Sequence, residues 1–270
     1  MTVAIQGELG SNSAQAAMLH FGEDVDLCTC TNFTQLFQAV SQGRADYAMA
    51  PVENSLAGSI HEGWDLLFEQ EPHVLGEYYF HVKHFLIGHS GSRATEIKQA
   101  ASHAQALAQC AVYLQKMNIR AIEEYDTAGA VALVKKRENW HEAAIAPAAA
   151  AQLYDMEILA ENIQTDERNF TRFFILSQEP APTQRNRHTL KNTLIFDMEN
   201  CASQLDSLLR TLSEYPLIKV ETSKRQDLPW VYRCYLECVG DIGRDTLKTV
   251  RAQVGNLCHL TPYSIGEHPT

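Results

Sequence analysis

Thr171 and Arg172 sit among aromatic residues in the run Asn169-Phe170-Thr171-Arg172-Phe173-Phe174, and an apolar tail through Leu176 follows. The tail reads as a strand, on which neighbouring side chains point to opposite faces. Thr171 and Phe173 then share one face, and Arg172 takes the other unless the strand twists or ends there. A hydroxyl donor and a fixed cation at the mouth of a buried strand suit an anionic substrate that must lose a hydroxyl group. An edge strand with a surface arginine is the plainer alternative, because motifs this short recur by chance.

Four loops share a second design, in which small polar residues follow a strand and open a helix. They are GELGSNS at 7–13, PVENSLAG at 51–58, Ser102-His103, and DTAG at 126–129. Helix amino ends carry unpaired N–H groups and a partial positive charge. Ser, Thr or Asn there can donate to a carboxylate, and glycine lets the backbone approach. Several such ends converging on one crevice would bind a dicarboxylate without a basic surface. Any one of these loops alone reads as an ordinary cap. Four together with Thr171 and Arg172 point to a site.

The elements that must position these residues are constrained by the whole chain. It has 270 residues, 45% of them hydrophobic, and a formal net charge of -11 at pH 7. That length and apolar content support one large domain or two, with a substantial core. The charge, with no basic cluster, argues against a nucleic-acid partner. It also requires local features to draw in an anion. No charged segment followed by an apolar stretch marks a signal peptide. No run of about 18 apolar residues marks a membrane partner. Cysteines stand at 28, 30, 110, 201, 234, 238 and 258, an odd count whose spacing fits no zinc pattern. They read as reduced, mostly buried thiols of a cytoplasmic protein. His81 and His84 form an HxxH pair without an evident third ligand, so no metal site is expected.

Strand signals fall at 3–6, 46–51, 119–124, 143–146 and 173–176, and residues 75–86 read as extended. Helical spacing falls at 11–21, 32–41, 60–69, 102–117, 126–136 and 147–154. This alternation is an α/β domain with mostly parallel strands. The extended stretch and the return at 173 suggest two lobes between which the chain crosses twice, with ligand in the crevice. QEPAPTQRNR at 178–187 reads as a linker. It separates a larger domain, 1–178, from a smaller one, 190–270. The smaller domain shows strands at 192–198, 217–221, 230–238 and 258–263, with helices at 203–215 and 242–254. That βαββαβ order is ferredoxin-like.

The segments GELGSNS, PVENSLAGSIH, SHAQALAQC, DTAGA, AAIAPAAAAQLY and NFTRFF, in this order and at these spacings, resemble the motifs of prephenate dehydratases. They also resemble those of the closely similar arogenate dehydratases. The resemblance covers about residues 3–176, and the βαββαβ region resembles the ACT regulatory domain that follows in this family. It implies a two-lobed, periplasmic-binding-protein-like catalytic domain plus an ACT-like domain. The implied activity is decarboxylating dehydration of prephenate to phenylpyruvate in phenylalanine biosynthesis. Arogenate as substrate, giving phenylalanine directly, and a non-catalytic, amino-acid-responsive binding module remain open alternatives.

In the family reaction the ring carboxylate leaves as CO2 and the 4-hydroxyl as water, driven by aromatisation, and no cofactor or metal is implied. The protein must hold two carboxylates, orient the ring and assist hydroxide departure. By resemblance Thr171 is the donor toward the leaving hydroxyl, and Asn54 and Gln109 are catalytic amides. Arg172, Ser11, Ser13, Ser55, Gly58, Thr127 and His103 are the implied substrate-binding residues. Glu53 would repel an anion and is expected to turn away as a structural acceptor. Cys110 is expected to pack, since the reaction needs no nucleophile. A homodimer or homotetramer formed through the small domain is also implied.

The chain departs from the family pattern in three places. Glu62-Gly63-Trp64 stands where an Arg-Asn-Tyr-like run is usual. Ser203-Gln204-Leu205 replaces Gly-Ala-Leu, and Glu221-Thr222-Ser223-Lys224 replaces Glu-Ser-Arg-Pro. Ser and Gln partly block the ligand approach that Gly and Ala permit. Leu205, Glu221 and Thr222 thus mark a regulatory region at which inhibition by a phenylalanine effector is expected to be weak or absent.

Overall fold

The structure is a computed structural model and describes residues 1–180, 190–199, 201–225, 227–264 and 266. In chain order it contains β1 (Thr2–Gln6), α1 (Asn12–Phe21), β2 (Asp26–Cys30), α2 (Phe33–Ser41), β3 (Tyr47–Asn54), β4 (Gly58–Ser59), α3 (His61–Gln70), β5 (His73–His81) and β6 (Phe85–Gly88). There follow β7 (Gln99–Ser102), α4 (Ala104–Gln109), α5 (Ala111–Met117), β8 (Arg120–Glu123), α6 (Thr127–Arg137), β9 (Glu142–Ala146), α7 (Ala148–Leu153), β10 (Glu157–Ala160) and β11 (Phe170–Ser177). The last elements are β12 (Leu190–Met198), α8 (Cys201–Thr211), β13 (Leu217–Lys224), β14 (Tyr232–Val239), α9 (Arg244–Val254) and β15 (Leu257–Ser264).

These elements form two compact units, Met1–Ser59 with Tyr79–Phe173, and Ile60–Tyr78 with Phe174–Thr270. Residues 60–78, read from the sequence with the larger domain, group with the carboxyl-terminal part of the chain. Residues 181–187 of the expected linker lie outside the described residues.

The first unit holds two sheets, the two lobes expected. One has the order β11-β3-β1-β2, with β1 parallel to both β2 and β3. The other has the order β10-β6-β9-β7-β8, with β7 parallel to β8 and β9, and β6 antiparallel to β9 and β10. Local chemistry explains the helices. Ser11, Asn32 and Asp126 each accept an N–H from the first turn of α1, α2 and α6, which satisfies an otherwise orphaned donor. On α2, Phe33, Leu36, Phe37 and Val40 are buried at the spacing of one helical face. Lys135, Lys136 and Arg137 close α6 at its negative end.

The expected helix over 102–117 is two helices, because Cys110 leaves helical geometry at ψ 11°. The extended stretch at 75–86 divides into β5 and β6. Neither β2 nor β10 has a sequence signal strong enough to anticipate, since both mix polar residues into half-buried faces. The two segments linking the lobes run side by side. Val82 N–H donates to the Asn169 carbonyl at 2.8 Å, and Ile163 N–H to that of His84 at 3.0 Å.

In the second unit the strands lie in the order β13-β14-β12-β15-β5. The first four pair antiparallel, and β15 meets β5 in parallel at Ser264 and Gly76. This is the ferredoxin-like order expected of βαββαβ. Alternation along β14 decides what each face meets. Cys234, Leu236 and Cys238 join Leu208, Leu212, Val250 and Val254 in the core beneath α8 and α9. Arg233 and Tyr235 face α3 instead. The Arg233 guanidinium lies 4.0 Å from the Phe68 ring and donates to Asp65 at 2.8 Å, and Tyr235 sits 5.3 Å from Trp64. A buried ion pair, Lys191 Nζ to Glu77 Oε1 at 2.9 Å, lies on the same unit.

His259 gives this unit a pH signature. Burial, reinforced by Arg251, holds its imidazole down at about 4, whereas in the unfolded chain it titrates near the ordinary value of about 6.5. Between those values the unfolded state takes up a proton that the folded state refuses. Stability from this group is therefore intact above the unfolded value and is lost as pH falls toward 4, by about 3 kcal/mol in total. Urea midpoints followed from neutral pH into that window should fall in the native protein and fall less in His259→Gln. Parallel declines in the two proteins would assign the acid sensitivity elsewhere.

Candidate active site

Strands β3 and β11 are neighbours in the first unit, and their alternation sorts four polar residues onto two faces. Asn54 and Thr171 share one, with Asn54 Nδ2 donating to Thr171 Oγ1 at 3.2 Å and to the Phe170 carbonyl at 3.1 Å. Glu53 and Arg172 share the other, with the guanidinium donating to Glu53 Oε2 at 3.1 Å. Asn54 is fixed by its own turn. Its Oδ1 accepts the backbone N–H groups of Leu56 and Ala57 at 3.1 and 3.0 Å, an Asx-type turn. Gly58 completes that turn at φ 83°, a conformation that favours glycine, and pairs back to Asn54.

The buried Asn169 joins this pair to the second lobe. Its Oδ1 accepts from Asn54 Nδ2 at 2.9 Å, and its Nδ2 donates to Gln109 Oε1 at 3.0 Å. The same Gln109 oxygen lies 2.8 Å from His84 Nε2. Gln109 closes α4 where the helix breaks at Cys110, and its own carbonyl accepts from Thr165 N–H at 2.8 Å. The three residues expected to be catalytic, Thr171, Asn54 and Gln109, are thus joined through Asn169 in one hydrogen-bonded chain. In the sequence Asn169 stands near Thr171 with no signal of a role, and His84 shows only as half of an HxxH pair. That pair splits, since His81 stacks on Phe170 at 4.6 Å and meets the Glu167 carbonyl.

The substrate-binding candidates fare unevenly. Arg172 is buried and held by Glu53, on the face away from Thr171. Glu53 is therefore the structural acceptor expected of it. The expectation for Ser55 needs correction. Its hydroxyl donates to the Arg168 carbonyl at 2.7 Å and accepts Phe170 N–H at 2.8 Å. It stitches β3 to the start of β11, whose end groups would otherwise be unpaired. Ser11 is buried and caps α1, accepting from Ala14 N–H at 3.2 Å, and Ser13 is buried in the first turn. His103 caps the short α4 and is exposed. Thr127 follows Asp126, whose carboxylate accepts Gly129 N–H at 2.7 Å. The amino end of α6 therefore already carries a carboxylate. For these loops the plainer cap reading describes the contacts seen.

The first and last of these loops nonetheless meet. A Cβ on Gly7 would stand 3.6 Å from Ser11 and 3.7 Å from Asp126, and one on Gly10 only 3.1 Å from Ala150 Cα. A cavity of about 160 Å³ opens at the carboxyl ends of β1 and β2, lined among others by Glu8, Thr29, Thr31, Tyr125 and Asp126. Cys110 is buried, and burial pushes its thiol up to about 12, which leaves it to pack as expected. In the second unit Leu205 packs against the core, Glu221 pairs with Lys219 at 3.1 Å and His61 at 3.6 Å, and Thr222 is exposed on β13.

A family model described as prephenate dehydratase matches residues 3–181. The chain is 36% identical over 227 residues to arogenate dehydratase/prephenate dehydratase 1, chloroplastic, of Arabidopsis thaliana. That match covers 84% of this chain and 57% of the plant protein, so the chain spans little more than half the length of that relative. The solved prephenate dehydratase of Arthrobacter aurescens in complex with L-Phe has the same fold, at a TM-score of 0.87 and 24% identity over 98% of this chain and 90% of that one. GqqA, described as a novel type of quorum quenching acylase, gives a TM-score of 0.86 at 27% identity over 98% of both chains. With this match spanning the residues that build the amide chain, the protein belongs to the prephenate dehydratase family.

Proposed function

We propose that this protein is a prephenate dehydratase that converts prephenate to phenylpyruvate, CO2 and water. One observation carries the reading. Thr171 Oγ1 accepts from Asn54 Nδ2, so its own proton is left to donate toward the substrate. The bond from ring to carboxylate breaks, its electrons enter the ring, and the hydroxyl at C4 departs as hydroxide, which takes up a proton from solvent and leaves as water. Threonine is far too weak an acid to match a good general acid at neutral pH. Its contribution is a directed hydrogen bond to the oxygen as negative charge develops there, which is worth more where water is excluded. The surrounding groups are neutral amides. Asn169 and His84 both meet Gln109 at its oxygen, and its amide nitrogen is the group we assign to a substrate carboxylate or hydroxyl. Glu53 is offset by Arg172 on the other face, so its charge does not oppose an anion.

A second reading, arogenate dehydration, has its own observation. Glu8 and Asp126 line the cavity at the carboxyl ends of β1 and β2, and two carboxylates suit the ammonium that arogenate carries and prephenate lacks. The name of the Arabidopsis relative covers both substrates. GqqA is described as a quorum quenching acylase, and an acylase that works through a side-chain nucleophile needs that group activated by a base. Thr171 is bonded to an amide N–H instead.

The test is to offer purified protein each substrate separately, reading phenylpyruvate by absorbance and phenylalanine by chromatography. Turnover of prephenate is the expected result. Turnover of arogenate alone would favour the second reading. No product from either, with folded protein, would leave a binding module.

A further inference from the structure

The hydrogen bonds around Asn54 determine the direction of the whole amide chain, because its first donors cannot be reversed. The backbone N–H groups of Leu56 and Ala57 require Asn54 to turn Oδ1 toward them. Asn54 Nδ2 must then face Asn169, which must answer with Oδ1 and present Nδ2 to Gln109. Gln109 answers with Oε1, and that oxygen also faces His84 Nε2. Two acceptors cannot face each other, so His84 Nε2 carries a hydrogen. His84 Nδ1 is buried without a hydrogen-bond partner among the described residues, as fits a nitrogen that carries none. Burial also holds the imidazole below its ordinary pKa, against the Gln109 bond that raises it. The backbone on either side is fixed, with His84 N–H donating to Gln164 Oε1 at 3.0 Å and the His84 carbonyl accepting from Ile163.

We infer that His84 is a positioning residue, whose Nε2–H pins the Gln109 carboxamide at the far end of the chain that Asn54 orients. This rests on the proposed role of Thr171. Without the His84 donor, Gln109 is held at its oxygen by Asn169 alone. Its carboxamide gains freedom to rotate, and the nitrogen meant for substrate loses its aim. The chain also spans the lobes, with Asn54 on one, Gln109 on the other, and His84 and Asn169 on the segments that cross between them. Loosening its His84 end should therefore cost alignment more than affinity.

Steady-state kinetics of His84→Leu, His84→Gln and His84→Asn test the inference on whichever substrate turns over. His84→Leu should lower kcat about tenfold to a hundredfold, as small misalignments of reacting groups do, with KM changed by less than about threefold. His84→Gln, whose amide nitrogen reaches about where Nε2 stood, should recover most of that loss. His84→Asn, one methylene shorter, should not. In a Gln109→Ala background His84→Leu should cost little more, because residues acting through one another are non-additive. NMR of the imidazole nitrogens should show a neutral ring protonated at Nε2.

Full kcat in His84→Leu, equal losses in the Gln and Leu variants, additivity with Gln109→Ala, or a proton on Nδ1 would each overturn the inference. Should His84→Leu not fold, the Gln and Asn variants decide it. Thr171→Ala is measured alongside. Full activity there defeats the site reading itself, whereas an inactive Thr171→Ala beside a fully active His84→Leu defeats only the role of His84.

Discussion

Thr171→Ala should lower kcat by about a hundredfold to a thousandfold, the range seen when one preorganised donor to a developing negative charge is removed. KM should change little, because the hydrogen bond strengthens only as the C–O bond breaks. Folding should survive. Thr171 is half-buried, and the donor it would abandon, Asn54 Nδ2, keeps Asn169 Oδ1 and the Phe170 carbonyl as partners. The loss thus creates no stranded buried polar group, which is the usual source of large destabilisation. Thr171→Ser should retain most of the rate. Thr171→Val, which keeps the shape and removes the hydroxyl, should match the alanine variant. Rates paired with urea unfolding separate chemistry from stability, and a Thr171→Ala protein within about threefold of the native kcat would remove the hydroxyl from the mechanism.

Asn54→Asp is the second large effect, and it is isosteric. The substituted side chain can still accept from Leu56 and Ala57 with one oxygen. Its other oxygen would face Asn169 Oδ1, the Phe170 carbonyl and Thr171 Oγ1, all of which now accept from Asn54 Nδ2. A buried carboxylate that faces two carbonyl oxygens, and draws the Thr171 hydroxyl proton to itself and away from substrate, is strongly disfavoured, so we expect roughly 2–4 kcal/mol of lost stability at neutral pH and a kcat at least about a hundredfold lower. The sign of the pH response is specific. Burial among acceptors raises the pKa of the new carboxyl. As pH falls through that raised value, the group gains an O–H that restores one of the missing donors. Part of the lost stability should therefore return on mild acidification, opposite to the trend His259 gives the native protein. A variant whose stability relative to the native protein is flat with pH would show that Asn54 does not face those acceptors.

Much of this protein was legible from residues close together in the chain. Ser11, Asn32 and Asp126 cap helices by bonding three residues ahead, and the apolar spacing of α2 reports its buried face directly. These are short-range effects in which the sequence interval sets the geometry. The order and spacing of the six motifs, and the βαββαβ pattern, likewise indicated the family and the ferredoxin-like sheet. The placement of Thr171 and Arg172 on opposite faces followed from strand period alone.

Other features needed the fold. Nothing in the chain's local pattern says that Asn54 meets Asn169, which is 115 residues away. Nor does it say that Gln109 serves His84, that Ser55 is occupied by the main chain of residues 168–170, or that residues 60–78 pack on the carboxyl-terminal sheet. An amide or hydroxyl has no fixed partner until packing removes water and leaves one acceptor or donor within reach. The sequence by itself determined which residue types were available and where the capped helices α1, α2 and α6 began. Only the tertiary structure decided which of them face one another, because the direction of a hydrogen-bonded chain is set by its least reversible member, here two backbone N–H groups in the turn after Asn54.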